Sequence, residues 1–214
     1  MFESLFDIFV NIDKYAAYIV SEYQIWTYAI LFVVIFMETG LVITPFLPGD
    51  SLLFVLGSLS ALPGTPLDVN IIALVVFLAA VLGDTCNYFV GHYFGQRCFA
   101  NRNSKIFKRS YLTRTHAFFN KYGGKTIILA RFIPIVRTFA PFVAGMGRMR
   151  YYNFMRYNVI GAFFWMILFC YGGYLFGDIP FVQDNMNLFI ILIIIVTSAI
   201  PMLELARSLY QSKS

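Results

Sequence analysis

"ARFIPIVRTFAPFVAG", residues 130–145, places two arginines and two prolines in an otherwise largely apolar run. Its flanks decide how it is threaded. Lys125 precedes it, and Arg148 and Arg150 follow it. Basic flanks of membrane segments stay on the cytoplasmic side, so both ends belong there. Only 22 residues, 126–147, lie between them, whereas two full helical crossings need about 20 residues each. The stretch is therefore predicted to enter and return as a re-entrant hairpin, broken at Pro134 and Pro141. A single span kinked by proline would leave one basic flank outside. Backbone released at that depth survives only where protein or a wet cavity covers it.

The totals agree with a membrane setting. Of 214 residues, 59% are hydrophobic and 13% charged, against about 25% charged in a soluble domain. Mean hydropathy is +0.72. The expected class is an all-α integral membrane protein of one domain. The first residues, "MFESLFDIFV", have no basic region ahead of their apolar run, so no cleavable signal peptide is expected. Cys86, Cys98 and Cys170 show no CxxC spacing and are read as packing residues. His92 and His116 form no metal pattern and are read as surface or helix-end residues. No metal and no cofactor are expected.

Charge supplies the orientation. Residues 97–156 hold 13 of the 16 basic residues, and no acid occurs between Asp84 and Asp178. Residues 97–125 and 148–156 are thus placed in the cytoplasm. Five segments follow from the pattern. Residues 1–23 read as an amphipathic interfacial helix. Residues 24–95 contain a punctured apolar run and then a long apolar helix, 68–95. Residues 96–124 read as a basic amphipathic helix on the membrane surface. Residues 125–177 hold the opening stretch and a second long helix, 151–177. Residues 184–206 form a third span, with Arg207 and Lys213 keeping the C-terminus cytoplasmic.

Segments 24–95 and 125–177 resemble each other. "FLPGD" (46–50) interrupts one apolar run as "FIPIVR" (132–137) interrupts the other, and the long helices end in "GHYFG" (91–95) and "GGYLFG" (172–177). Counting back from a cytoplasmic residue 97, helix 68–95 begins outside. The first hairpin then enters from outside and the second from inside, and the N-terminus is periplasmic. The prediction is an inverted-topology repeat of two re-entrant hairpins plus about three full spans, an arrangement typical of secondary transporters. A rival count makes 24–43 a full span.

The hairpins carry opposite charges: Glu38 and Asp50 in the first, Arg131 and Arg137 in the second. One such group at a helix centre costs about 2.5–3.5 kcal/mol on insertion scales. Arg131 and Arg137 are six residues apart across Pro134, an offset of about 240° on a regular helix, so a break is needed to aim both at one cavity. Guanidinium keeps its charge when buried and grips phosphate through a planar fork. The arginines are therefore assigned to an oxyanion such as phosphate, with the carboxylates as their partners when it is absent. Glu38 and Asp50 are candidates for proton coupling and gating. Asp84, Thr39 and Ser51 are secondary candidates, Asp84 being equally readable as a contact between helices. Pro45, Pro48 and Gly49 are expected to break the first hairpin. Phe, Tyr and Trp are read as lipid-facing, packing or interfacial.

"ETGLVITPFLPGDSLLF" (38–54), "GDTCNYFVGHYFG" (83–95), "NSKIFKRSYL" (103–112), "GGKTIILARFIPIVRTFAPFVAGMGRM" (123–149) and "YNVIGAFFW" (157–165) together resemble the bacterial DedA family. That family is part of the SNARE-associated, or VTT-domain, group. The resemblance covers nearly the whole chain. It implies a bacterial inner-membrane protein that returns undecaprenyl phosphate across the membrane, with links to proton-motive-force homeostasis and to resistance to cationic peptides; eukaryotic relatives are lipid scramblases. It maps the family's acidic pair onto Glu38 and Asp50 and its arginine pair onto Arg131 and Arg137. The partners implied are an anionic lipid, protons and membrane lipids, with no nucleic acid; self-association is left open.

Three other functions compete. A proton-coupled transporter of small oxyanions or cations would use the same four charges. A polyprenyl pyrophosphate phosphatase would need a "PGxSR" motif, but "PGDS" (48–51) continues with Leu52, and neither hairpin holds a histidine. A membrane scaffold would tolerate neutral replacements at all four charges.

Overall fold

A computed structural model describes residues 12–40, 49–95 and 124–177, with Ile179 and Leu188 as isolated positions. Among the described residues the fold is all helical, with no strand. The helices are α1 (Ile12–Tyr23), α2 (Trp26–Gly40), α3 (Gly49–Ala61), α4 (Val69–Val90), α5 (Lys125–Ala130), α6 (Pro134–Met146), α7 (Tyr151–Met166) and α8 (Gly172–Phe176). A π-helical turn, Gly91–Gly95, extends α4, and another, Ile167–Tyr171, joins α7 to α8.

Length separates two kinds of helix. Val69–Phe94 and Tyr151–Phe176 run for 26 residues each, about 39 Å at 1.5 Å per residue, enough to cross a hydrocarbon core of about 30 Å. Helices α2 and α3 have 15 and 13 residues, about 22 and 20 Å, which is short of a crossing. The third expected span, residues 184–206, and the basic segment 96–123 lie outside the described residues, apart from Leu188.

Several helix ends have a local cause. Gln24 takes a left-handed φ of 43° between α1 and α2. Asp68 starts α4: its Oδ1 accepts the Asn70 amide at 2.7 Å, filling one of the donors a helix start leaves open. Pro134 occupies the first turn of α6, where its missing N–H removes nothing, and Ile133 before it is extended at φ −107°, ψ 110°. The break in the opening stretch therefore lies at residues 131–133. Pro141 corrects the expectation of a second break: it sits inside α6, which continues to Met146. Proline inside a helix removes one hydrogen bond, the one to the carbonyl of Arg137, and here the helix tolerates the loss. Pro45 and Pro48 lie outside the described residues; Gly49 is the first residue of α3.

The chain divides into two compact units, Met1–Ile35, Phe46–Ala79 and Phe164–Thr197 in one and Phe36–Pro45, Ala80–Phe163 and Ser198–Ser214 in the other. In the first unit α3 meets the turns around Cys170 and Gly173 backbone to backbone. A Cβ at Gly57 would overlap the Cys170 carbonyl, and one at Gly173 would overlap the Phe54 carbonyl. In the second unit α6 meets the end of α4 in the same manner, with Gly145 against the Tyr88 carbonyl and Gly91 against the Phe142 carbonyl. The second unit has its own core of Tyr88, Ile127, Ala130, Ala140, Ala144 and Phe154. Tyr88 stacks on Phe154 with ring centroids 4.6 Å apart.

Helix α4 presents two faces. Ala80, Asp84 and Asn87 are buried, whereas Ile71, Leu74, Leu78, Leu82 and Phe89 are exposed. The exposed apolar stripe repeats at helical spacing, opposite the polar one. Exposed apolar side chains along one stripe, with Asp84 and Asn87 buried among apolar residues such as Ile72, Val76 and Ala79 on the other, suit a helix with lipid on one side.

Candidate functional site: a buried quartet of charges

The site in the second unit is built outward from α4. Gly83 brings α4 against the end of α2: its Cα lies 3.3 Å from the Cβ position of Gly40. The next residue, Asp84, and Asn87 three positions later share a face, as helical geometry requires. Both are buried, at 5% and 0% exposure.

Arg131 stands at the break between α5 and α6 and is buried. Its Nη2 donates to Asp84 Oδ2 and, at 2.6 Å, to Asn158 Oδ1 of α7. Asn158 turns its own amide onto the Val81 carbonyl of α4 at 3.2 Å. Arg137, in the first turn of α6, is also buried; its Nη2 donates to Glu38 Oε1 in the last turn of α2. Glu38 is wholly buried. Two cations thus meet two carboxylates, and the quartet is formally neutral. Removing one member of such a pair costs about 3–5 kcal/mol, because it strands a buried charge.

Asn87 links the parts without carrying charge. Its amide nitrogen donates to the Thr39 carbonyl at 3.1 Å and to the Thr138 carbonyl at 2.7 Å. Those are the residues next to Glu38 and Arg137.

In the first unit Asp50 lies in the opening turn of α3, where the helix dipole favours an acid. Its Oδ1 accepts the Trp165 indole N–H at 2.9 Å. Ser51 is buried beside it and Thr39 is buried beside Glu38.

Glu38 and Arg137, both singled out in the sequence, come together. Asp84, ranked as secondary, is the carboxylate on Arg131. Asn87, Asn158 and Trp165 were not foreseen. The two asparagines had a signal: amides within apolar helices need partners, and Asn87 stands at i+3 from Asp84. Trp165 departs from the assignment of aromatics to lipid or packing alone, since it is 1% exposed and hydrogen-bonded. His92 stacks against Tyr88 at the end of α4, with centroids 6.1 Å apart.

Buried, paired charges on apolar helices mark functional positions in membrane proteins. The chain belongs to the VTT-domain, or DedA, family of membrane proteins. The VTT domain model matches residues 47–175. The chain is 57% identical over 203 residues to Protein DedA of Escherichia coli (strain K12), covering 95% of this chain and 93% of that protein. It is 45% identical over 183 residues to the uncharacterized membrane protein Rv0364 of Mycobacterium tuberculosis (strain ATCC 25618 / H37Rv), covering 86% and 80%. It is 33% identical over 153 residues to the inner membrane protein YqjA of Escherichia coli (strain K12), covering 72% and 69%. No solved structure matches the chain.

Proposed function

We propose that this protein moves a lipid phosphate across the bacterial inner membrane, undecaprenyl phosphate being the cargo the family resemblance implies, and that protons accompany it. The observation that carries the proposal is the neutral quartet of Arg131, Arg137, Glu38 and Asp84, held in a buried site. Guanidinium groups suit phosphate by geometry and by persistence of charge. A phosphate that takes Arg137 displaces Glu38 and adds negative charge to a site that was neutral. In low dielectric that charge must be balanced, and a proton delivered to the displaced carboxylate balances it. Asp50, held by Trp165, belongs to the gate in the first unit. The polyprenyl tail stays in lipid.

The architecture we propose is an inverted repeat of two re-entrant hairpins. Its support is the matched backbone packing: Phe54-x-x-Gly57 with Cys170-x-x-Gly173 in one unit, and Phe142-x-x-Gly145 with Tyr88-x-x-Gly91 in the other. Both long helices also carry a π-helical turn in their last third, a feature that tends to occur at functional positions. The N-terminus is then periplasmic and the C-terminus cytoplasmic.

Purified protein in proteoliposomes tests the function. Undecaprenyl phosphate placed in one leaflet is expected to reach the other faster than in protein-free vesicles, and an imposed pH gradient is expected to change the rate. Protein-independent rates would refute the proposal. Uptake of inorganic phosphate without lipid movement would favour the small-oxyanion transporter.

A further inference from the structure

We infer that Asn87 is a positioning residue that clamps the Glu38–Arg137 pair shut, and so sets how readily a phosphate head group displaces Glu38. The second half of this inference rests on the lipid-phosphate reading; the first does not.

The orientation of the Asn87 amide is determined by its partners. Both are backbone carbonyls, of Thr39 and Thr138, and carbonyls only accept, so the NH2 group must face them. Both of its hydrogens are then committed. Thr39 lies one residue beyond Glu38, near the end of α2. Thr138 lies one residue beyond Arg137 and three before Pro141, whose ring cannot donate to the Arg137 carbonyl. The amide fastens both to α4, with the carboxylate on one and the guanidinium on the other.

The side chain must be neutral as well as hydrogen-bonding. Aspartate at this position would turn oxygens towards two carbonyls and add negative charge beside Glu38. Alanine would remove both bonds. Either change loosens the closed pair, and a loosened pair competes less well with an incoming phosphate. The clamp thus has an effect on binding opposite in sign to that of a residue that merely supports the fold.

The test uses full-length protein in nanodiscs, with the neighbouring Cys86→Ser variant as control. Without ligand, Asn87→Ala is expected to speed amide hydrogen exchange about fivefold in both 36–40 and 138–144, as loss of one net hydrogen bond implies. Segment 151–163 should stay unchanged. With a short-chain polyprenyl phosphate, apparent affinity should rise about fivefold while translocation turnover falls. Asn87→Asp serves as the second variant for exchange and should behave alike there, while its added negative charge works against phosphate binding. Unchanged exchange in either segment overturns the clamp. So does loss of the fold in both variants, since a clamp on one pair is not needed for folding. Faster exchange with unchanged or weaker affinity in Asn87→Ala overturns the competition between Glu38 and the head group. If the wild type binds no polyprenyl phosphate, the cargo reading fails and exchange alone decides the clamp.

Discussion

Arg137 and Glu38 illustrate what single residues contribute. Lysine at 137 would keep the charge but lose the planar fork that grips two oxygens at once. Arg137→Lys is expected to fold and to lower translocation at least tenfold; wild-type rates in proteoliposomes would remove Arg137 from the phosphate site. Asp84 makes a different prediction. Asp84→Asn strands Arg131 in a buried site and should destabilise by about 3–5 kcal/mol, read from thermal or denaturant unfolding in detergent. An Asp84→Leu, Arg131→Met double variant should recover most of that stability and none of the transport. Trp165→Phe keeps a ring where Trp165 packs near Phe169 but removes the donor to Asp50. It should cost about 1.5–3 kcal/mol, the range for a hydrogen bond to a charged group.

Among elements, the glycine seams are the sharpest test. At Gly91 and Gly173 a Cβ would overlap a carbonyl, whereas at Gly172 nothing lies within 4 Å of it. Gly91→Ala and Gly173→Ala should each destabilise by about 1–3 kcal/mol, as overpacking does. Gly172→Ala, one residue away, should be neutral or stabilising by up to about 1 kcal/mol, since alanine is the better helix former. Equal sensitivity at Gly91 and Gly173 is what equivalent repeats require; unequal sensitivity would argue against the equivalence. Unfolding midpoints of the three variants decide it.

Across the whole molecule, legibility followed the size of the physical signal. Charged groups in apolar runs are costly, so Glu38, Arg131 and Arg137 stand out in the sequence. The two long helices, Val69–Phe94 and Tyr151–Phe176, are legible as extended, largely apolar runs. Asp84 was under-ranked because its place near a helix end does not show which segment folds back to meet it. Asn87 and Asn158 are neutral and cost less to bury, so they announced themselves weakly. Pro141 misled because a proline reports only a missing donor, and the surrounding helix decides whether that missing bond breaks it. Orientation rests on the distribution of basic residues and has its own check. In a Cys86→Ser background, a cysteine at Lys125 or Arg150 should be closed to an impermeant thiol reagent added to spheroplasts. Labelling there would reverse the orientation.

Helix α4 gives Asp84 to one ion pair and Asn87 to the backbone of the other, three residues apart on one stripe. The two pairs therefore share an axle. A roll of α4 that strains one must strain the other, and neither can be retuned in isolation. Substitutions at the two places should show strong epistasis. In a double-mutant cycle of Asp84→Asn with Asn87→Ala, the combined loss of stability should fall short of the sum by at least about 0.5 kcal/mol. Strict additivity would mean that the pairs turn independently.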